Sequence, residues 1–233
     1  MKLAQKLLWI CLLIPIWSTT GQITPGIYHA DADNVHHELK INGNYLIHSV
    51  YEKSPAKFIK TLGGFYTVAD NNLTVKLEFN SNHEADGLTE LTLPYSMTGK
   101  KLTLENGQAL SFTLSKKTQQ DLDGPWLFAT RGPDNGQERR GEENPRKTLK
   151  YLQGDRFQWI AYNTETMKFF GTGGGSFSSE DGVYMENIEY FSRDNSRVGA
   201  SLKFNYEIKD RDWHHKGKNS KGEPMYEIWS RRK

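Results

Sequence analysis

KFFGTGGGSFSSEDGVYMENIEY, residues 168–190, repeats a stretch that lies 111 positions earlier, KFIKTLGGFYTVADNNLTVKLEF at residues 57–79. The same shift extends the match without a gap to Tyr95 and Tyr206, and the aligned positions 57–95 contain ten identities. A fixed internal period of this kind arises by duplication. The sequence therefore predicts one structural unit that is used twice.

Both copies consist of short runs that alternate apolar and polar residues. Turn-forming pairs such as Asn42-Gly43 and Asn106-Gly107 separate the runs. This pattern is typical of β-strands joined by tight turns. Seven or eight antiparallel strands in a unit of this size fit either a sandwich or a closed barrel. A barrel leaves no unpaired strand edge and has an interior that can hold a small ligand.

The amino terminus has the pattern of a secretory signal. Lys2 and Lys6 precede an apolar run at residues 7–17, and small residues follow at 18–21. The apolar run is too short for a stable membrane span. We expect residues 1–21 to be a signal peptide and the mature protein to be secreted or periplasmic. A retained membrane anchor and lipidation at Cys11 are the alternatives.

Cys11 is the only cysteine, so the mature chain has no disulfide and depends on its packed core. This fits a bacterial periplasm or exterior. Removal of Lys2 and Lys6 with the signal leaves 28 basic and 28 acidic residues. A chain with no net charge does not imply the basic face that nucleic acid requires, so nucleic acid is not an expected partner.

Gly124-Pro125-Trp126 matches the G-x-W opening of lipocalins and their calycin relatives, and Arg231-Arg232 supplies the basic residue of their last strand. Residues 124–232 resemble the small lipocalin-like domains of unknown function in secreted bacterial proteins. The resemblance implies that Trp126 packs against Arg231 or Arg232 and that the barrel binds a ligand, but it supplies no reaction. We expect all-β, tandem antiparallel lipocalin-like barrels at residues 22–117 and 124–233, with a linker at 118–123.

One large departure separates the copies. The second copy has thirteen additional residues between its first two strands, within residues 131–146. In lipocalins the corresponding loop crosses the open end of the barrel. The loop is therefore expected to be either a lid or a solvated segment of mixed charge.

Strand alternation predicts which side chains face the interior. In the first copy Leu73, Val75, Leu77 and Phe79 share the apolar face, and the matching residues of the second copy are Tyr184, Glu186, Ile188 and Tyr190. A buried carboxylate needs a partner or a ligand. His215, which replaces Leu104, is the partner that the sequence offers to Glu186.

These replacements predict a polar, aromatic-lined interior in the second barrel that holds a small, partly apolar ligand. The expected ligand-binding residues are Trp159, Glu186, Tyr190, Tyr206, Trp213 and His215. The alternatives are a purely structural hydrogen-bonded pair, a protein–protein interaction module, and an isomerase or hydrolase that uses Glu186 and His215.

No motif predicts a cofactor or a metal. The pairs His36-His37 and His214-His215 are adjacent on strands and therefore point to opposite faces. The glycines at 171–175 lack the Lys-Ser/Thr pair of a phosphate-binding loop, and in a strand they indicate a bulge or a bend.

Overall fold

The computed structural model describes residues 23–219 and 221–232. The predicted signal peptide and Cys11 lie outside these residues. The first barrel consists of Gly26–Ala32 (β1), Val35–Asn42 (β2), Tyr45–Lys53 (β3), Ala56–Ala69 (β4), Asn72–Asn80 (β5), Glu90–Thr98 (β6), Lys101–Asn106 (β7) and Gln108–Leu114 (β8). The second consists of Gly124–Arg131 (β9), Arg146–Gln153 (β10), Arg156–Asn163 (β11), Phe169–Glu180 (β12), Val183–Phe191 (β13), Ser201–Lys209 (β14), Asp212–Lys218 (β15) and Pro224–Arg231 (β16).

Each set of eight strands forms a closed antiparallel barrel in which neighbours in sequence are neighbours in space. Pairing of β1 with β8 closes the first barrel, and pairing of β16 with β9 closes the second. The predicted all-β fold with two tandem barrels is confirmed. Two short helical turns, His83–Asp86 (α1) and the 3-10 turn Asn195–Arg197, occupy matching positions after β5 and β13. No helix among the described residues is both long and apolar enough to cross a bilayer.

The repeated glycine pair makes the same β-bulge in both barrels. The register slips between Gly63 and Gly64 where β4 pairs with β5, and between Gly174 and Gly175 where β12 pairs with β13. A Cβ atom on Gly64 or Gly175 would lie 2.0 Å from a backbone oxygen of the neighbouring strand. Only glycine fits this approach, so the bulge predicted for the second copy is confirmed and explains the repeated pair.

The bulge also reverses the alternation beyond it. Gly174 pairs with Tyr190 and Gly175 pairs with Ile188, which leaves Glu189 as the additional residue of β13. Tyr190 therefore lies on the outer side with Glu189, where its ring is 4.5 Å from that of Tyr51 in the first barrel. The prediction that Phe79 and Tyr190 face the barrel interiors is wrong, because an inserted residue shifts a period of two by one.

Trp126 belongs to the buried core of the second barrel, at what we call its closed end because Leu122, Trp126 and Trp213 are packed there and do not line the cavity described below. Its ring is 1% exposed, and its indole nitrogen donates a 2.8 Å hydrogen bond to the carbonyl of Leu122. The guanidinium of Arg231 stacks 3.8 Å from the ring centroid. The expected contact of Trp126 with an arginine of the last strand is confirmed for Arg231. Arg232 has a different role, since it binds Glu78 of the first barrel.

The barrels pack together through an approximate two-fold arrangement that follows the repeat. Glu78 accepts hydrogen bonds from Tyr45 of its own barrel and Tyr162 of the other. At the positions 111 residues later, Glu189 accepts from Arg156 of its own barrel and Tyr51 of the other. An apolar cluster occupies one half of this interface: Tyr45, Ile47, Phe79, Leu127, Leu149, Tyr151, Ile160 and Tyr162.

The other half of the interface is a buried polar network. Glu38 and Lys40 are fully buried and hydrogen-bonded to each other, and Arg156 donates to Glu38 at 2.5 Å. Gln158 accepts from Ser49 at 2.8 Å and donates to threonines of both barrels. Burial opposes ionisation of Glu38, but the adjacent Lys40 and Arg156 lower its pKa to about 2. The network is therefore charged and internally compensated.

Candidate ligand cavity of the second barrel

A cavity of about 530 Å³ opens into the second barrel. Its walls are largely apolar and aromatic, its floor carries ionisable groups, and its mouth is lined with charged side chains. The residues that line it are Lys150, Trp159, Glu186, Ile188, Phe191, Arg193, Asp194, Arg197, Ala200, Leu202, Phe204, His215, Lys218, Asn219, Met225 and Glu227. This size and composition are typical of sites for small organic ligands.

The floor is organised around Lys150 of β10, a buried cation. Its ammonium group donates a 2.8 Å hydrogen bond to Oε1 of Glu186, which also accepts a 2.9 Å bond from the hydroxyl of Tyr184. Aromatic rings surround the ammonium at 5.0–5.7 Å, those of Tyr184, Phe204, Trp213 and Trp229. The expected pairing of Glu186 with His215 is wrong: the carboxylate is neutralised by a lysine that projects from another strand.

His215 consequently lies in the floor without a hydrogen-bond partner. The residue is 1% exposed, and neither ring nitrogen is bonded to any group of the described chain. Its Nδ1 atom is 3.7 Å from Oε2 of Glu227, which is too long for a hydrogen bond. Burial, with the nearby charge of Lys150, lowers the pKa of His215 to about 4. At neutral pH the imidazole is uncharged and offers one donor and one acceptor.

Glu227 completes the floor. Its burial opposes ionisation, but the close imidazole of His215, whose Nδ1 atom is 3.7 Å from Oε2, and the charge of Lys150 lower its pKa below the ordinary range. Its Oε2 accepts a 3.3 Å hydrogen bond from the indole of Trp229. The floor thus presents one ammonium, two carboxylates and one neutral imidazole within an aromatic enclosure.

The sequence-predicted residues divide into two groups. Trp159, Glu186 and His215 line the cavity, whereas Tyr190, Tyr206 and Trp213 do not. Trp213 points inward but belongs to the closed end, where its ring packs against Trp126 at 5.7 Å. The hydroxyl of Tyr206 binds the carboxylate of Asp121 in the linker. For Trp213 alternation predicted the inward face but not the depth at which packed rings give way to a cavity, whereas for Tyr190 the bulge reversed the face itself.

Lys150 and Glu227 are the floor residues that the sequence reasoning missed. Lys150 replaces Leu39 at the 111-residue shift. An alignment of the two copies that includes β10 therefore identifies Lys150 in the same way as Glu186. Glu227 pairs with His215 across β15 and β16, and Leu110 pairs with Leu104 across β7 and β8. The connection between β15 and β16 is longer than the connection between β7 and β8. The constant shift therefore fails at Glu227, and only strand register shows the match.

The inserted loop at residues 131–146 does not line the cavity. It folds back on the outer wall, where Arg139 donates hydrogen bonds to Asp212 and Ser230. Asp212 and Ser230 pair with each other at the first residue of β15. Lys218, which lines the cavity mouth, is at the other end of this strand. Of the two expectations for this loop, the geometry favours the surface segment.

A scan against protein-family models and a search of curated proteins found no match to this chain.

Proposed function

We propose that the second barrel binds a small, partly apolar molecule with a hydrogen-bonding group at the end that enters first. The observation that carries this proposal is the buried His215, which lines a cavity of about 530 Å³ and whose ring nitrogens have no hydrogen bond within the described chain. A buried polar group without a partner costs roughly 1–3 kcal/mol. A ligand hydroxyl, amide or carboxyl group that bonds to His215 would remove this cost.

The surroundings of His215 indicate the rest of the ligand. Trp159, Phe191 and Met225 offer apolar contact along the wall. Arg193, Arg197 and Lys218 at the mouth outnumber the one acid there, Asp194. A molecule with an apolar body and an outer anionic group fits this distribution of charge.

The wider interpretation is that the chain is an exported, lipocalin-like binding protein. It is supported by the G-x-W start of β9, by the stacking of Arg231 on Trp126, and by the signal-like residues 1–21. N-terminal sequencing of the exported product should find a start near Gln22. An intact Met1 on a cytosolic product would contradict export.

An enzyme is the less supported alternative. The isomerase or hydrolase hypothesis uses Glu186 and His215 as acid and base, but Glu186 is bonded to Lys150 and Tyr184, which hold it as a carboxylate partner of the lysine. Binding needs no such pair, so the geometry favours it.

Anilinonaphthalene sulfonate, an aromatic anion, is a suitable probe. We expect saturable binding of one molecule per folded chain, detected by fluorescence and by native mass spectrometry. Ala200→Trp should abolish this binding by filling the cavity from its wall while leaving the polar floor intact. The four-fold variant Lys150→Leu, Glu186→Val, His215→Leu and Glu227→Leu, which copies the first barrel, should weaken it at least tenfold.

The matched control removes one cation and one anion from the exposed outer face of β14, with Lys203→Leu and Glu207→Val. Circular dichroism must show that every variant is folded. Equal probe binding by the native chain and a folded Ala200→Trp variant would overturn the proposal.

A further inference from the structure

The first barrel carries a separate cluster of metal-binding side chains at the rim of the interface. His29 of β1 and His36 and Glu38 of β2 each offer a ligand atom, and these atoms lie within 4.8 Å of one another. His29 and Glu38 are directly paired across the two strands. Tyr28 and Leu39 belong to the barrel core, so alternation directs His29, His36 and Glu38 outward.

We propose that this cluster binds one divalent transition-metal ion, of the borderline class that includes zinc. The proposal concerns the first barrel and is independent of ligand binding in the second. It differs from the sequence-based expectation of no metal, which was based only on histidines that are adjacent in the sequence of one strand. The second imidazole comes from the adjacent strand.

The distance between the two imidazoles suits a shared ion. His29 Nδ1 and His36 Nε2 are 3.0 Å apart and share a hydrogen bond, whose proton an ion would replace. Metal–nitrogen bonds of ~2.0–2.1 Å place two ligand nitrogens roughly 3.0–3.4 Å apart, depending on coordination geometry. Glu38 Oε2 lies 4.0 Å from His29 Nδ1, so this carboxylate would move closer to serve as the third ligand. Imidazole with carboxylate is a ligand set that suits zinc, copper, nickel and iron.

Asp31 provides the orienting contact that metal-binding histidines usually have. Its carboxylate accepts a 2.7 Å hydrogen bond from Nδ1 of His36. This bond fixes the tautomer in which the lone pair of Nε2 is directed towards His29. Arg156 of the second barrel donates a hydrogen bond to Oε2 of Glu38 and so fixes the orientation of this carboxylate.

The histidines are not needed to compensate Glu38, because Lys40 and Arg156 already bind both of its oxygens. An ion can also reach the cluster, since the side chain of His29 is 28% exposed. The register of the second barrel places Leu127, Ala129, Lys147 and Leu149 at the matching positions. The cluster is therefore a feature of the first barrel alone.

The test is titration of the purified, metal-free full chain with zinc chloride against a colorimetric chelator. We expect one zinc ion per chain. The double variant His29→Gln with His36→Gln should lose this binding. Asp31→Asn, which keeps all three ligands, should weaken it roughly 10–100-fold.

A second histidine pair provides the matched control. His37 Nδ1 and His48 Nε2 are 3.1 Å apart, nearly the same separation. The double variant His37→Gln with His48→Gln should still bind one zinc ion. Loss of binding in this control, or unchanged binding in the His29/His36 variant, would overturn the proposal.

X-ray absorption of the zinc-loaded native chain tests the ligand type without a variant, and the two histidine double variants assign the imidazoles. Two imidazole nitrogens at ~2.0–2.1 Å are expected. A sulfur shell at ~2.3 Å would assign the zinc to Cys11, and a shell of water oxygens alone would indicate adventitious binding. Either spectrum would refute the site.

Discussion

Four interior positions match between the barrels by strand register and differ in chemistry. The first barrel has Leu39, Val75, Leu104 and Leu110 there, and the second has Lys150, Glu186, His215 and Glu227. The aliphatic set joins the core of the first barrel. The polar set forms the floor of a cavity, because charged groups need partners, water or a ligand and cannot pack against each other like methyl groups. The same backbone thus supports an aliphatic core in one copy and a candidate binding site in the other.

The largest effect should come from the closed end of the second barrel. Trp126→Ala removes a buried indole and its hydrogen bond to Leu122, so it should cost about 3–5 kcal/mol of unfolding free energy. Tyr28→Ala is the matched change in the first barrel, where the hydroxyl bonds to Thr24 in the same way. Urea unfolding measures both. A loss under about 1 kcal/mol for Trp126→Ala would show that the G-x-W resemblance is accidental.

The charged residues of the cavity floor can be replaced in two ways that should change the free energy of unfolding differently. Glu186→Val leaves Lys150 buried without its carboxylate and should cost about 3 kcal/mol. The four-fold variant that copies the first barrel should be neutral or more stable, because it removes every charge together. Urea unfolding of both variants checks this. Similar losses of unfolding free energy in the two variants would mean that the second barrel does not tolerate the interior side chains of the first.

Acid should destabilise the chain before its carboxylates titrate. The folded-state pKa of His215 is about 4, whereas an unfolded histidine titrates near ~6.5. Between these pH values only the unfolded state binds the proton on His215. The free energy of unfolding therefore keeps its full value above about pH 6.5 and decreases as the pH falls towards 4. The loss is on the order of 3 kcal/mol.

His48 in the first barrel, with a pKa lowered by burial to about 3, should contribute in the same direction. Thermal unfolding between pH 7 and pH 4 measures the sum of both groups. His215→Leu should reduce the slope of the profile by the share of His215, and an unchanged slope in this variant would assign the effect to other groups.

The smallest effect is expected in the inserted loop. Arg139→Ala removes partly exposed ion pairs with Asp134 and Asp212 and should cost less than about 1 kcal/mol. Binding of anilinonaphthalene sulfonate should not change, because the loop does not line the cavity. A tenfold change in affinity would restore the lid hypothesis.

The sequence alone was sufficient for the features that depend on local pattern and on the repeat. Alternating runs and turn pairs predicted the strands, and the 111-residue period predicted two units of one fold. The comparison of copies also identified Glu186 and His215 as unusual interior residues. Each inference needs only a period of two along a strand and an alignment of the chain with itself.

Tertiary structure decided which of these side chains meet. The bulge at Gly174-Gly175 moved Tyr190 to the interface, and the curvature of the closed sheet brought Lys150, not His215, to Glu186. Pairing of β1 with β2 placed His29 beside His36. Such contacts depend on register, bulges and closure between strands, and an alternation pattern within one strand contains no information about them.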